Sequence, residues 1–218
     1  MIITRQKDIN KILAFIGDRT NIFLIGCKSC ATTCKTGGEK ELDKMEDKLA
    51  LHGKKILGKK VLDPACSILE VKRLVRENKE VMKECEVILS MACGGGTQAA
   101  AEVIEGKKIV PGNDSLFQGE ITRITATGSH FEQKCSLCAD CMLGETGGIC
   151  PVTRCPKGLR NGPCGGAKNR KCEIHKDLDC VWITIYKRLT DIGELKNMYN
   201  YKEPRDFTRN KQPQSLDI

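Results

Sequence analysis

Short apolar runs alternate with amphipathic stretches along the first half of the chain; glycine, proline and cysteine displace both in the second. Asn21–Cys27 is an unbroken apolar run rich in β-formers, and it predicts a buried strand. Lys54–Asp63 predicts another through Ile56-Leu57 and Val61-Leu62, closed by Pro64. Val87–Cys93 is a third, and Lys108–Pro111 a short fourth. Between the strands, Glu39–Leu51 sets Leu42, Met45, Leu49 and Ala50 on one helical face. Ile68–Cys85 predicts a single long helix, with Leu69, Val71, Leu74, Val75, Val81 and Met82 spaced near one turn. Thr97 is expected to cap a further helix running through Ala99–Val103. Strands alternating with helices predict an α/β fold, with a small doubly wound parallel-sheet domain over residues 1–125.

Beyond that point the periodicity fades. Gly144, Gly147, Gly148, Gly158, Gly162, Gly165 and Gly166 crowd together with Pro151, Pro156 and Pro163. Such a segment wraps something in place of packing an apolar core. Regularity returns at Val181–Met198, a predicted helix with Trp182, Ile185, Leu189, Ile192 and Leu195 on an apolar stripe. The polar tail from Tyr201 onward holds two prolines and is expected to be extended or loose. Residues 126–218 therefore read as a Cys/Gly-rich cluster-binding domain with a C-terminal helix.

Charge changes the picture little. Among 218 residues, 36 Lys plus Arg against 28 Asp plus Glu give a net +8. An excess of that size suits nucleic acid, an acidic partner or an anionic cofactor. Aromatic residues make up only 4%, too few for the stacking platforms of single-strand binders. Lysine-rich helix faces account for much of the excess, and no nucleic-acid partner is expected. No apolar run reaches the ~18 residues of a membrane span. The first residues lead only into the short patch Ile12–Ile16, so a cytoplasmic chain is expected. In that reducing setting clustered cysteines are read as metal ligands and not as disulfides.

Fourteen cysteines are present, in two groups. Cys27, Cys30 and Cys34 follow the first strand, Cys66 the second, and Cys93 ends the third. In an open parallel sheet ligands bind at the carboxyl ends of the strands, so these sulfurs should meet on one rim. Three of them can hold corners of a [4Fe–4S] cubane, with Cys93 preferred over Cys66 as the fourth. The Gly94-Gly95-Gly96 run beside Cys93 would let backbone amides approach inorganic sulfide. Cys85, inside a predicted helix, reads as a small buried hydrophobe.

The second group runs from Cys135 to Cys180. Cys135-x2-Cys138-x2-Cys141 is the triple spacing that bacterial ferredoxins use for one [4Fe–4S] cluster. A fourth ligand could come from Cys150-Pro151, Cys155-Pro156 or Cys164. Zinc is the rival at part of this site, since four thiolates also suit a tetrahedral ion. Consecutive two-residue spacings favour iron–sulfur there, and Cys172 and Cys180 are expected to be bystanders. The three histidines, His52, His130 and His175, lie apart from any candidate base or nucleophile. No nucleophile elbow, zincin helix or nucleotide fingerprint accompanies them, so no catalytic step is expected on this chain.

The motif Gly26-Cys27-Lys-Ser-Cys30-Ala-Thr-Thr-Cys34-Lys-Thr-Gly-Gly38 resembles the opening of the small iron–sulfur subunit of anaerobic methylenetetrahydrofolate reductase. Gly144-Glu-Thr-Gly-Gly-Ile-Cys150-Pro-Val-Thr-Arg-Cys155-Pro and Asn161-Gly-Pro-Cys164-Gly-Gly are similar to its C-terminal domain, as are Cys180-Val-Trp182 and Glu203-Pro-Arg-Asp206. The resemblance implies two [4Fe–4S] clusters and a flavin-containing, folate-binding catalytic subunit as partner. That partner would be a (β/α)8 barrel of about 250 residues, too large to be part of this chain. A further electron-donating oxidoreductase and anaerobic one-carbon metabolism of the Wood–Ljungdahl type are implied as the setting. The C-terminal helix with Trp182 is a candidate docking surface, its alternative being packing on the cluster domain. The other overall reading is a zinc-stabilised scaffold subunit of the same reductase.

Overall fold

The computed structural model describes residues 1–125 and 128–216, in two compact units, Met1–Phe131 and Glu132–Ile218. In the first, β1 (Ile2–Gln6) and α1 (Ile9–Ile16) lead into β2 (Asn21–Cys27). The single-turn α2 (Cys30–Thr33), α3 (Glu39–Ala50), β3 (Lys55–Leu62), α4 (Ile68–Glu77) and α5 (Lys79–Glu84) follow. Then come β4 (Val87–Ser90), α6 (Gly94–Val103), β5 (Lys108–Pro111), β6 (Asn113–Gln118), β7 (Glu120–Thr125) and β8 (Gly128–Glu132).

Four strands make a wholly parallel sheet in the order β3-β2-β4-β5. Ile22–Cys27 are all buried because both faces of β2 are covered, which is why its sequence is continuously apolar. Phe23, Ile25 and Ile88 pack under α4 and α6 with Val71, Leu74 and Ala100. On the opposite face Ile22, Leu24 and Leu89 meet Ile12 and Ile16 of α1 and Leu42, Met45 and Leu49 of α3. The fold is thus α/β with helices on both faces. Strand order reverses between β2 and β4. That switch point is where such sheets bind ligands. Beside it, β1 and β6 form an antiparallel ladder of their own, and β7 pairs with β8 in another.

Three element boundaries differ from the sequence reading. The long helix breaks at Asn78, which leaves helical geometry (φ −117°, ψ 28°) while its backbone N–H (3.0 Å) and its Nδ2 (2.9 Å) both donate to Leu74 O. The third strand stops at Ser90: Met91 N–H still bonds Ile25 O of β2 (2.7 Å), but Asn113 Nδ2 takes Met91 O (2.6 Å) and Ala92 O (3.3 Å). The following helix starts at Gly94 with Cys93 as its N-cap. Thr97 lies inside it, and its hydroxyl bonds back to Cys93 O (3.1 Å) and Ser90 Oγ (2.9 Å).

The second unit has little regular structure: α7 (Pro151–Arg154), α8 (Val181–Asp191) and two 3₁₀ turns, Leu195–Tyr199 and Phe207–Asn210. The predicted C-terminal helix ends earlier than expected, and Gly193, at φ +72°, turns the chain after it. Its core is small, with Met142, Val181, Trp182, Ile185 and Leu189 buried. Trp182 is only 5% exposed and its indole N–H donates to Leu159 O (3.2 Å), so its side chain packs within its own unit. The tail is extended as expected but not loose. Lys202 N–H and O bond the Asn161 side chain (2.7 and 2.8 Å), Arg160 Nη1 reaches Glu203 O (3.0 Å), and Arg205 Nη2 reaches Cys138 O (3.4 Å). Among the described residues no helix is long and apolar enough to cross a membrane.

Candidate metal centres

The rim site is assembled by strand ends. Cys27 closes β2 and is 4% exposed; its N–H donates to Gly37 O (2.9 Å) and its carbonyl accepts from Thr32 Oγ1 (2.7 Å). These bonds curl the chain into α2, which begins at Cys30 and is capped by Cys34. The ladder strand β1 ties both sulfurs down. Ile2 N–H donates to Cys30 Sγ (3.4 Å), and the Cys34 thiol faces Ile2 O (3.9 Å). A buried hydroxyl pair, Thr4 Oγ1 to Thr36 Oγ1 at 2.6 Å, fixes the same contact further along.

Across the switch point Cys93, 8% exposed, caps α6. A Cβ built on Gly95 would lie 3.8 Å from Cys66 Cβ and 3.9 Å from Cys93 Sγ, so both cysteines flank the first turn of α6. Gly96 brings that turn close, since a Cβ there would stand 2.8 Å from Ala92 Cβ and 3.1 Å from Ala65 Cβ. Cys66 sits at the exposed edge. Partial desolvation first, then the sulfurs of Cys93, Cys27 and Cys30, push its thiol above the ordinary range. Cys27, Cys30, Cys66 and Cys93 therefore share one electrostatic neighbourhood, with Cys34 against Ile2. Of the three glycine amides, Gly94 N–H is taken by Ser115 Oγ (2.8 Å). Those of Gly95 and Gly96 have no partner among the described residues and stand at the positive end of α6. Cys85 is remote from the rim. It is buried and donates to Val87 O (3.1 Å), and burial pushes its thiol up.

In the second unit Cys135, Cys138, Cys141 and Cys150 line one cavity of about 130 Å³. The loop between them is wound tightly, with Leu137 (φ +54°) and Ala139 (φ +57°) both left-handed. Non-glycine residues rarely adopt that conformation, and they do so mostly where the surroundings impose it. Leu137 N–H donates to Cys135 Sγ (3.3 Å), so the backbone already serves a sulfur. Asp140 is held by Arg160 Nη2 (2.6 Å) and approached by Arg209 Nη1 (3.7 Å). Those cations lie where thiolates and a bound cluster would add negative charge.

Cys155 and Cys164, the other candidates for a fourth ligand, belong elsewhere. They line a separate cavity of about 20 Å³ together with Cys172 and Cys180. The Gly166 amide, 3.4 Å from its sulfur, and then Lys157 hold the exposed Cys164 thiol below its ordinary range. Among the described residues no three Cys, His, Asp or Glu side chains are drawn in around one point as a bound ion would hold them. The donor set nevertheless fits an iron–sulfur cluster at both larger sites: thiols without histidine, ferredoxin-like spacing at one, and amides near sulfur at both.

Residues 110–208 match the family model described as methylene-tetrahydrofolate reductase C terminal. That stretch contains all eight cysteines from Cys135 to Cys180 and stops short of the rim site. No curated protein and no solved structure matches the chain.

Proposed function

We propose that this chain is an iron–sulfur electron-transfer subunit of a methylenetetrahydrofolate reductase complex. It would relay electrons to the flavin of a separate folate-binding catalytic subunit, in anaerobic one-carbon metabolism, from a further oxidoreductase partner. The observation that carries the reading is the gathering of Cys135, Cys138, Cys141 and Cys150 around one cavity, inside the stretch related to that reductase. Cys27, Cys30, Cys34 and Cys93, with Cys66 adjoining, are assigned to a second cluster on the sheet rim. A cluster held at either place would supply reversible one-electron transfer.

The protein's own part is to hold, shield and polarise. The strand ends fix the spacing of the rim sulfurs, and Ile2 N–H and the Gly95 and Gly96 amides favour negative charge on sulfur. Arg160 and Arg209 do the same near the second site.

Oxygen-free purification of the full chain tests the reading. Iron and acid-labile sulfide should be present in matching amounts, with a visible band bleached by dithionite and an EPR signal on reduction. Cys138→Ala and Cys150→Ala should each remove the share of iron, sulfide and EPR signal that belongs to one cluster. Preparations without labile sulfide would overturn the proposal.

A further inference from the structure

The eight cysteines of the second unit divide into two quartets, and the second quartet differs from the first in kind. We infer that Cys155, Cys164, Cys172 and Cys180 form a separate tetrathiolate site for a single zinc ion. Size is the first ground. The cavity they line is about 20 Å³, against about 130 Å³ for the quartet headed by Cys135. A space of roughly 10–15 Å³ holds one water-sized occupant, so the smaller cavity has room for a single ion.

Backbone geometry is the second ground. Asn169 (φ +49°) and Arg170 (φ +66°) make a tight turn, and Lys171 pairs with Asp179 in an antiparallel bridge. Cys172 N–H donates to Leu178 O (2.9 Å) and Cys180 N–H to Arg170 O (2.7 Å). Residues next to a bridge pair face the opposite side from it. The Lys171–Asp179 ion pair (2.8 Å) thus occupies one face, and Cys172 and Cys180 share the other as diagonal neighbours. Cys155 reaches the same cavity from the end of α7, where Gly158 N–H closes a turn on Cys155 O (2.8 Å). Cys164 approaches from the glycine loop, its sulfur accepting from Gly166 N–H (3.4 Å) and its thiol donating to Glu173 Oε1 (3.5 Å).

Four cysteines lining one small cavity are the donor set of structural zinc, and binding would draw their sulfurs together around the ion. On binding, the four thiol protons leave to solvent, and Glu173 exchanges its bond from Cys164 for its existing ion pair with Lys157. Leu159 and Trp182 line the cavity beside the cysteines, and an ion held there would serve structure.

Metal analysis of the full chain, purified without oxygen from cells supplied with iron and zinc, tests this independently of the electron-transfer reading. One zinc per chain is expected beside whatever iron is found. The double variant Cys172→Ser, Cys180→Ser should lose the zinc and keep iron and sulfide; Cys138→Ser, Cys150→Ser should lose one cluster's share of the iron and keep zinc. Growth on cobalt(II) needs no variant, and the wild-type chain should then show the intense visible absorption of tetrahedral cobalt thiolate. Zinc missing from the wild type, zinc retained by the first double variant, loss of iron in its place, or no tetrahedral cobalt spectrum would each overturn the inference. Missing sulfide with zinc intact would sink only the cluster proposal.

Discussion

Glu86, just before β4, accepts hydrogen bonds from the Thr20 and Asn21 amides (2.9 Å each), anchoring the start of β2. Those amides, Asn21 first, hold its carboxyl below the ordinary value of 4.5. A depressed folded-state pKa means that the ionised form is the one folding favours. Its contribution is complete above 4.5 and is lost as acid protonates the folded carboxylate. Glu86→Gln should therefore lower the melting temperature at neutral pH and narrow the gap from wild type as pH falls below 4.5, measured by circular dichroism. A constant gap across that range would refute the linkage. Single residues of this kind were invisible in the sequence, because Glu86 has no neighbour in sequence that marks it as a cap. The cysteines were far more legible. Their spacing pointed to the ferredoxin-like triplet, yet it could not choose among Cys150, Cys155 and Cys164, since which cavity each lines depends on how the loops between them turn, as at Gly158. Cys172 and Cys180 looked like bystanders for the same reason: seven residues separate them, and only the Lys171–Asp179 bridge shows that they share a face.

Among the elements, the tie between the cysteine loop and the end of β4 is the least forgiving. A Cβ on Gly37 would stand 1.8 Å from Met91 O and 3.1 Å from Ala31 Cβ, a clash with backbone that rotamers cannot relieve. Gly37→Ala should cost about 3 kcal/mol in chemical denaturation and displace Cys27, whose amide bonds Gly37 O. Gly53→Ala is the comparison, since it has open space but a left-handed φ of +70° and should cost only ~1 kcal/mol. Equal losses at the two sites would mean that the Gly37 contact does not restrain the loop. The central parallel strands β2 and β4 were legible because both faces of the sheet are covered there and their sequences are almost wholly apolar. The start of α6 was not. Three consecutive glycines are poor helix formers, and here tertiary contact overrides propensity by pressing Gly96 against Ala65 and Ala92. Strands β1 and β6 escaped notice for a related reason: their polar ladder, with a register shift between Ile3 and Thr4, has no clean alternation to read.

The two units hold themselves together by different means. Met1–Phe131 has apolar clusters on both faces of its sheet, whereas the buried apolar cluster of the second unit is small, with Met142, Val181, Trp182, Ile185 and Leu189. A core that small supports few kilocalories by itself, and small domains of this kind depend on metals or disulfides. The chain's single Trp lies in the smaller core, so its fluorescence follows the second unit alone. Most of the long helices belong to the first unit, which therefore dominates far-ultraviolet circular dichroism. Removing bound metal with a strong chelator under oxidising conditions should abolish the Trp182 fluorescence transition. Each ~1 kcal/mol moves the midpoint of a domain this size by roughly 4–8 °C, and a structural metal contributes several. The dichroism melt should persist with a smaller shift, set by the rim site, because the sheet is covered on both faces without metal. If the fluorescence melt survives chelation unchanged, the thiolate quartets do not staple the second unit, and its stability must come from the tail bonds of Asn161 and Arg160.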